Sequence, residues 1–293
     1  MKKPAGLLLG LCVFLCAGGG VLAAQEMSGA TMPPPKVLVI FREFVKPGKT
    51  GMTHEKSEST FVQALARAKW PTHYLALTSM SGKSRALFIT PYDSFEAWEK
   101  DNLASDKNAA LSASLDRAAA ADGDLLSDTD QTVAVYSDDY SLRSSIDIAH
   151  MRYFEISSYH VRSGHRKDWD DLVKLVKAGY EKVPTVHWAM YEVSYGQEGG
   201  LYLVFTGMKS ASEIDQEPSQ DKDFEAALGE DGMKKLHELE SAAVESSQSN
   251  LFAFSPKMSY TPEEWIKADP DFWKVKSGAA APKKPAEKPA PPQ

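Results

Sequence analysis

The chain carries one module twice, at an offset of about 116 residues, and such a repeat decides what the folding unit is before any other reading. Val45-Lys46-Pro47-Gly48-Lys49 ends an apolar run and opens a helical pattern, and Val161-Arg162-Ser163-Gly164-His165 does the same later. The agreement continues downstream. Pro71-Thr72 with His73-Tyr74 matches Pro184-Thr185 with His187-Trp188, and Leu87-Phe88-Ile89-Thr90 matches Leu203-Val204-Phe205-Thr206. Tyr136-Ser137 near the end of the first copy matches Phe254-Ser255 near the end of the second.

Within the first copy, Val37 to Val45 is an apolar, β-branched run that Pro47-Gly48 turns, which predicts a strand. From His54 to Trp70 the apolar residues Phe61, Val62 and Leu65 recur at three-to-four spacing with Ala64 and Ala68. Glu55, Lys56, Glu58 and Arg67 are assigned to the opposite, solvated side of that helix. His73 to Met80 and Ser84 to Thr90 flank Ser81-Gly82-Lys83 and read as a hairpin. Helical material follows from Ser94 to about Ala121, and Thr132 to Tyr136 closes the copy as a short strand. The second copy repeats the order. It has strands at 152–161, 186–195, 201–206 and 251–254, and its clearest helix spans 166–182, where Trp169, Leu172, Val173, Val176 and Tyr180 fall on one face.

Each copy is therefore strand, helix, strand, strand, helix, strand, the split βαβ of the ferredoxin-like type. Two helices cover one face of such a sheet, and the other face needs a partner, which the second copy can supply. The expected fold is α+β: two tandem ferredoxin-like units, over 36–142 and 148–260, whose antiparallel sheets face each other as a barrel with helices outside. In this order of elements, with a first strand ending in Val45-Lys46-Pro47-Gly48-Lys49 before an amphipathic helix, the chain resembles the dimeric α+β barrel superfamily. That group includes the antibiotic-biosynthesis monooxygenases, the muconolactone isomerase-like proteins, the chlorite dismutase-like haem proteins and the NIPSNAP family. The likeness, covering about 36 to 260, is to NIPSNAP-like or monooxygenase-like modules. The second copy departs from the pattern, with Ser163 where the first has proline.

The ends of the chain read differently from its middle. Lys2-Lys3, the apolar stretch Leu7 to Leu15 and the small residues up to Ala24 form the three-part pattern of a secretory signal peptide over 1–24. A secreted or periplasmic protein is expected. Both cysteines, Cys12 and Cys16, lie inside that segment, so the exported form is expected to have no disulfide, thiolate metal site or cysteine nucleophile. The formal charge is −7, and cleavage would remove two lysines more, which disfavours phosphate backbones; no nucleic-acid partner is expected. No segment after the signal is long and apolar enough to span a membrane. Residues 277–293 are Ala, Pro and Lys with one Glu, a tail expected to be disordered, with an envelope contact through its lysines as its functional reading.

Four residues stand out as pocket candidates. Alternation along 152–161 puts Tyr153, Glu155, Ser157 and Tyr159 on one face, the counterpart of Val37, Val39, Phe41 and Glu43. If that face points inward, Glu155 and Tyr159 line a polar wall, and a buried Glu155 could serve as a base; the plainer reading places Glu155 at an exposed edge or in an ion pair. His73 and His187 occupy matched positions at the start of the second strand of each copy, where each either moves a proton or caps the preceding loop. The remaining histidines, His54, His150, His160, His165 and His237, show no histidine pair at ligand spacing, so no metal and no cofactor are expected. The resemblance to chlorite dismutase-like proteins implies a haem-bearing histidine on a second-half helix; His237 lies in such a stretch, flanked by Lys234, Lys235, Glu238 and Glu240 as on a solvated face.

Hydrolase elbows, phosphate-binding loops and dinucleotide fingerprints are absent from the sequence. The sequence therefore assigns no reaction. The leading expectation is an exported barrel that binds a small apolar or aromatic molecule, or a protein partner. The alternative is a cofactor-independent monooxygenase or isomerase acting on an electron-rich small molecule in the barrel cavity.

Overall fold

The structure is a computed structural model that describes residues 31–274. The signal segment 1–24 and the tail 277–293 lie outside the described residues. In chain order the elements are β1 (Val37–Val45), α1 (Met52–Ala68), β2 (Leu75–Ser79), β3 (Arg85–Tyr92), α2 (Phe95–Lys107), α3 (Ala109–Asp122), β4 (Leu126–Leu142) and β5 (Tyr153–Val161). Then follow α4 (Arg166–Tyr180), β6 (Trp188–Tyr195), β7 (Leu201–Met208), α5 (Glu217–Ala243), β8 (Val244–Phe254), α6 (Glu263–Ala268) and α7 (Pro270–Trp273). No helix among the described residues is long and apolar enough to cross a membrane.

The eight strands pair antiparallel and close into a barrel in the order β1-β3-β2-β8-β5-β7-β6-β4. The first four strands run β4-β1-β3-β2 and the last four β8-β5-β7-β6, the same order in each half. The halves join edge to edge, β2 on β8 and β4 on β6, so one continuous sheet results, with no unpaired sheet edge among the described residues. Corresponding strands share even their irregularities. β1 shifts register against β4 between Phe44 and Val45, and β5 shifts against β8 between His160 and Val161.

Through the middle of the barrel both faces of the strands are covered, and the buried strand residues there are mostly apolar. Leu38, Ile40, Leu75, Ile156, Phe205 and Phe252 fill the barrel interior. On the outer face Val37, Val39 and Val133 pack with Trp98 of α2, while Trp188, Met190 and Tyr202 pack against Trp169 and Leu172 of α4 and Leu239 of α5. Each such side chain contributes about 1.5–3 kcal/mol on full burial.

Several elements depart from the sequence reading. The helical stretch from Ser94 divides at Asn108, whose side chain accepts the Leu111 N–H and so starts α3. Its counterpart α5 breaks at Gly229, where φ is 66° and ψ 179°. β4 runs from Leu126 to Leu142, well beyond the expected Thr132 to Tyr136 at both ends, and β8 starts seven residues before the expected Leu251, at Val244. The turn between β6 and β7 requires glycine at its first position: Gly196 has φ +89°, and a Cβ there would sit 2.0 Å from the Gln131 carbonyl oxygen.

Beyond β8 the chain returns across one end of the barrel as α6 and α7. Trp273, 2% exposed, joins the interior cluster, and its indole N–H donates to the Ala149 carbonyl at 2.7 Å. Arg152 clamps this segment by pairing with Asp269 and stacking its guanidinium over Phe272.

Candidate functional site

The barrel is open where β1, β2, β5 and β6 begin. A cavity of about 940 Å³ lies at that end. Its floor is interior sheet surface, from Leu38, Leu75, Ile89, Phe154, Tyr191 and Phe205. The walls come from outside the strand pattern: the segment before β1, the α2 face, the 144–148 connection and Trp265 of α6. Aromatic rings stiffen the floor, with Phe154 edge-on to Phe205 at 5.7 Å and Tyr191 edge-on to Phe205 at 5.5 Å.

Several polar groups at the rim are engaged with the protein. Asp101 of α2 accepts from Thr72 Oγ1 at 2.6 Å and from Tyr92 OH at 2.9 Å. Tyr191 OH donates to the Pro35 carbonyl at 3.2 Å. Burial raises both phenols above the ordinary tyrosine range, and for Tyr92 the neighbouring Asp101 adds to it, so both stay protonated at neutral pH. What the cavity offers a ligand is chiefly apolar and aromatic surface.

Of the four sequence candidates, the structure brings two together here. His73 and His187 both line the cavity. His73 stacks on Tyr260 with ring centroids 4.6 Å apart, and His187 Nε2 lies 3.0 Å from the Gly207 carbonyl oxygen, an acceptor that requires the N–H on that nitrogen. Glu155 and Tyr159 are elsewhere. The strand face that carries them points outward to the helices, and Phe154, Ile156 and Ser158 of the other face line the two interior spaces. Glu155 accepts from Ser157 Oγ at 3.1 Å, and Tyr159 packs on Trp169 of α4 at 5.6 Å, its phenol pushed up by burial and then by Glu155 and Glu240. His237 lies exposed on α5.

A second feature was not foreseen. Glu43 on the outer face of β1, His54 and Glu58 on α1 and Asp122 at the end of α3 converge beneath the first-half helices. Their exposures are 4%, 4%, 3% and 1%. His54 Nε2 lies 2.8 Å from Glu43 Oε2, 3.9 Å from Glu58 Oε1 and 3.9 Å from Asp122 Oδ1. Burial, then the Glu43 and Asp122 carboxylates, push Glu58 up to about 10; burial also raises Glu43, against the lowering hydrogen bond from His54.

The expectation that His54 lacks converging ligands is corrected here, as is the assignment of Glu58 to the solvated side of its helix. Residues 54, 58, 61, 65 and 68 follow one another at four-and-three spacing, so the apolar stripe of α1 extends backward into His54 and Glu58. A search restricted to pairs of histidines passed over this histidine–glutamate pair.

No protein-family model matches the chain, and no curated protein matches it. Solved structures with a similar fold include a monooxygenase described as putative from Fusobacterium nucleatum, with a TM-score of 0.47 at 11% identity over 76% of this chain and 94% of that one. An anthrone oxidase-like protein gives a TM-score of 0.49 at 11% identity over 80% of this chain and 97% of its own. A mutant chlorite dismutase from Candidatus Nitrospira defluvii gives 0.44 at 9% identity over 80% and 95%. At TM-scores below 0.5 these likenesses assign neither family nor activity to this chain.

Proposed function

We propose that this protein is an exported carrier or receptor for a small apolar or aromatic molecule, built from two fused ferredoxin-like units over 36–142 and 148–260 and taking its ligand at the open end of the barrel. One observation carries the reading: a cavity of about 940 Å³, floored by aliphatic and aromatic side chains, at whose rim Thr72, Tyr92 and Asp101 are hydrogen-bonded to one another. Sites for small molecules run to about 300–1,000 Å³ and are mostly apolar with a few orienting polar groups. His73 and His187 are then orienting groups at the mouth. An exported location rests on the sequence of residues 1–24.

The test is titration of the full chain with N-phenyl-1-naphthylamine, a neutral aromatic probe, followed by its fluorescence and by energy transfer from tryptophan. Saturable one-to-one binding is expected. Ala189→Trp, which places an indole in the cavity from the start of β6, should weaken binding by at least about tenfold, the scale of one lost good apolar contact of about 1.4 kcal/mol. Absence of saturable binding by the folded wild type overturns the reading.

A further inference from the structure

We propose that Glu43, His54, Glu58 and Asp122 form a binding site for one divalent first-row transition-metal ion of the Mn²⁺ class, held between β1, α1 and α3. The site is separate from the barrel cavity: none of the four residues lines it.

Geometry comes first. Around a six-coordinate ion with bonds of about 2.1 Å, neighbouring ligand atoms stand about 3.0 Å apart and opposite ones about 4.2 Å. Here the separations from His54 Nε2 are 2.8, 3.9 and 3.9 Å, and one ligand atom from each residue lies within 4.8 Å of all the others. Side chains from a strand and two helices thus converge on one point; Glu43 stands at the spacing of a neighbouring ligand, one of the two 3.9 Å separations approaches that of an opposite one, and the other has to close by about 0.9 Å on loading.

The polar accounting points the same way. Four buried side-chain polar atoms lack a hydrogen-bond partner of normal geometry among the described residues, and three of them are Glu58 Oε1, Asp122 Oδ1 and Asp122 Oδ2, which only a proton held on Glu58 would bridge in the ion-free protein. Buried oxygens left without partners are costly. Among the described residues, His54 is the only ion-pair partner of Glu43, Glu58 and Asp122. Asp122 also ends α3, where the helix dipole adds negative potential and further favours a cation.

The second half of the molecule supplies an internal comparison. Glu43 of β1 and Tyr159 of β5 each stand two residues before the shared register shift and face the helix layer. In the second half that niche is filled with rings, Tyr159 on Trp169 at 5.6 Å and Trp169 on Tyr202 at 4.9 Å. The same frame therefore accepts uncharged packed rings, at the cost of one unpaired indole N–H on Trp169, and such packing generally matches or exceeds a buried charge cluster in stability. Four ionisable groups in the first-half niche are not required by the fold, and an ion gives them a role. One imidazole with three carboxylates is a nitrogen-poor, oxygen-rich donor set, which suits Mn²⁺ among first-row ions.

The experiment uses the full chain without a polyhistidine tag. Metal per chain is measured by inductively coupled plasma mass spectrometry. Chelator-stripped protein is then titrated with MnCl₂ alone, by calorimetry and by loss of the free Mn²⁺ electron paramagnetic resonance signal. About one equivalent is expected, with affinity falling at least about tenfold in Glu58→Gln and in Asp122→Asn and holding in Glu225→Gln on exposed α5. A folded wild type that takes up no Mn²⁺ or Zn²⁺ saturably overturns the proposal, the outcome expected if the carboxyls share protons instead. So does uptake undiminished in both variants. If neither variant folds, the wild-type titration alone decides.

Discussion

Truncating Trp273 to alanine tests whether the segment after β8 is part of the barrel core. Trp273 lies in α7, yet its ring contacts come from three elements: Phe254 of β8 at 6.2 Å, Trp265 of α6 at 5.3 Å and its neighbour Phe272 at 4.8 Å. It is 2% exposed, and its N–H holds the Ala149 carbonyl at 2.7 Å, tying α7 to the segment before β5. Large aromatic truncations in a packed core cost about 3–5 kcal/mol. The orphaned Ala149 carbonyl lies within that range rather than adding to it, because water enters once the indole is gone. For a chain of this size each kcal/mol shifts the midpoint by about 2–4 °C, so Trp273→Ala should melt about 10 °C lower. Trp273→Phe, which keeps most of the apolar area and loses the N–H, should recover more than half of the loss. Circular dichroism melts and urea titrations of the three proteins give the comparison. A Trp273→Ala protein within 1 kcal/mol of wild type would refute the reasoning, since the indole would then be resting on the barrel rather than plugging it.

Two shorter predictions concern ionisation and backbone. In metal-stripped protein Glu58, raised by burial to about 10 from 4.5, keeps a proton that the unfolded chain has released above its ordinary range. That contribution is fully present below pH 4.5 and is lost as pH rises towards 10, at about 1.4 kcal/mol per pH unit. Glu58→Gln should therefore flatten the decline of melting temperature between about pH 6 and 9, and parallel profiles for the two proteins would contradict the shift. Gly196→Ala should destabilise by about 2 kcal/mol or more, because it combines positive φ with a Cβ driven onto the Gln131 carbonyl; chemical denaturation showing less than 0.5 kcal/mol would mean the β6–β7 turn relaxes freely.

The strand–helix order was legible because the repeat reinforced weak local signals: Val37 to Val45 reads as a strand in isolation, and its match with residues 153–161 makes it one of a pair. The orientation of those strands was not legible. Alternation separates Leu38 and Ile40 from Val37 and Val39, but in a barrel wrapped by helices both faces are apolar, so no polar face marks the outside. This ambiguity is what sent Glu155 and Tyr159 towards the cavity in the sequence reading. The lengths of β4 and β8 were hidden for the opposite reason. Ser127 to Gln131 and Glu245 to Ser249 are polar and largely exposed, and only their cross-strand partners on β1 and β5 make them strands. Trp265 and Trp273 follow prolines in helices of 6 and 4 residues, too short to show a period. The cluster around His54 was readable in part, through the spacing to Glu58, but Glu43 and Asp122 arrive from other elements and only the fold places them.

One strand links the two proposed sites and also separates them. Leu38 and Glu43 both belong to β1, five residues apart, which at about 3.3 Å per residue puts their backbones about 17 Å from each other. The odd spacing also sends the two side chains to opposite faces: Leu38 into the barrel cavity, Glu43 out beneath α1 and α3. Tyr74 stands between the two: it lines the cavity, and its phenol is raised by burial and then by the Glu58 and Glu43 carboxyls, so any coupling between the sites has that ring as a route. The cavity reading and the ion-site proposal can still fail one at a time, because none of the four proposed ligands lines the cavity. Probe binding that is lost in Ala189→Trp but unchanged in Glu58→Gln, with Mn²⁺ uptake showing the reverse pattern, is what two independent sites on one duplicated scaffold must give. If Glu58→Gln also abolished probe binding while the protein remained folded, the barrel and its helical layer would be one coupled site, and the division drawn along β1 would be wrong.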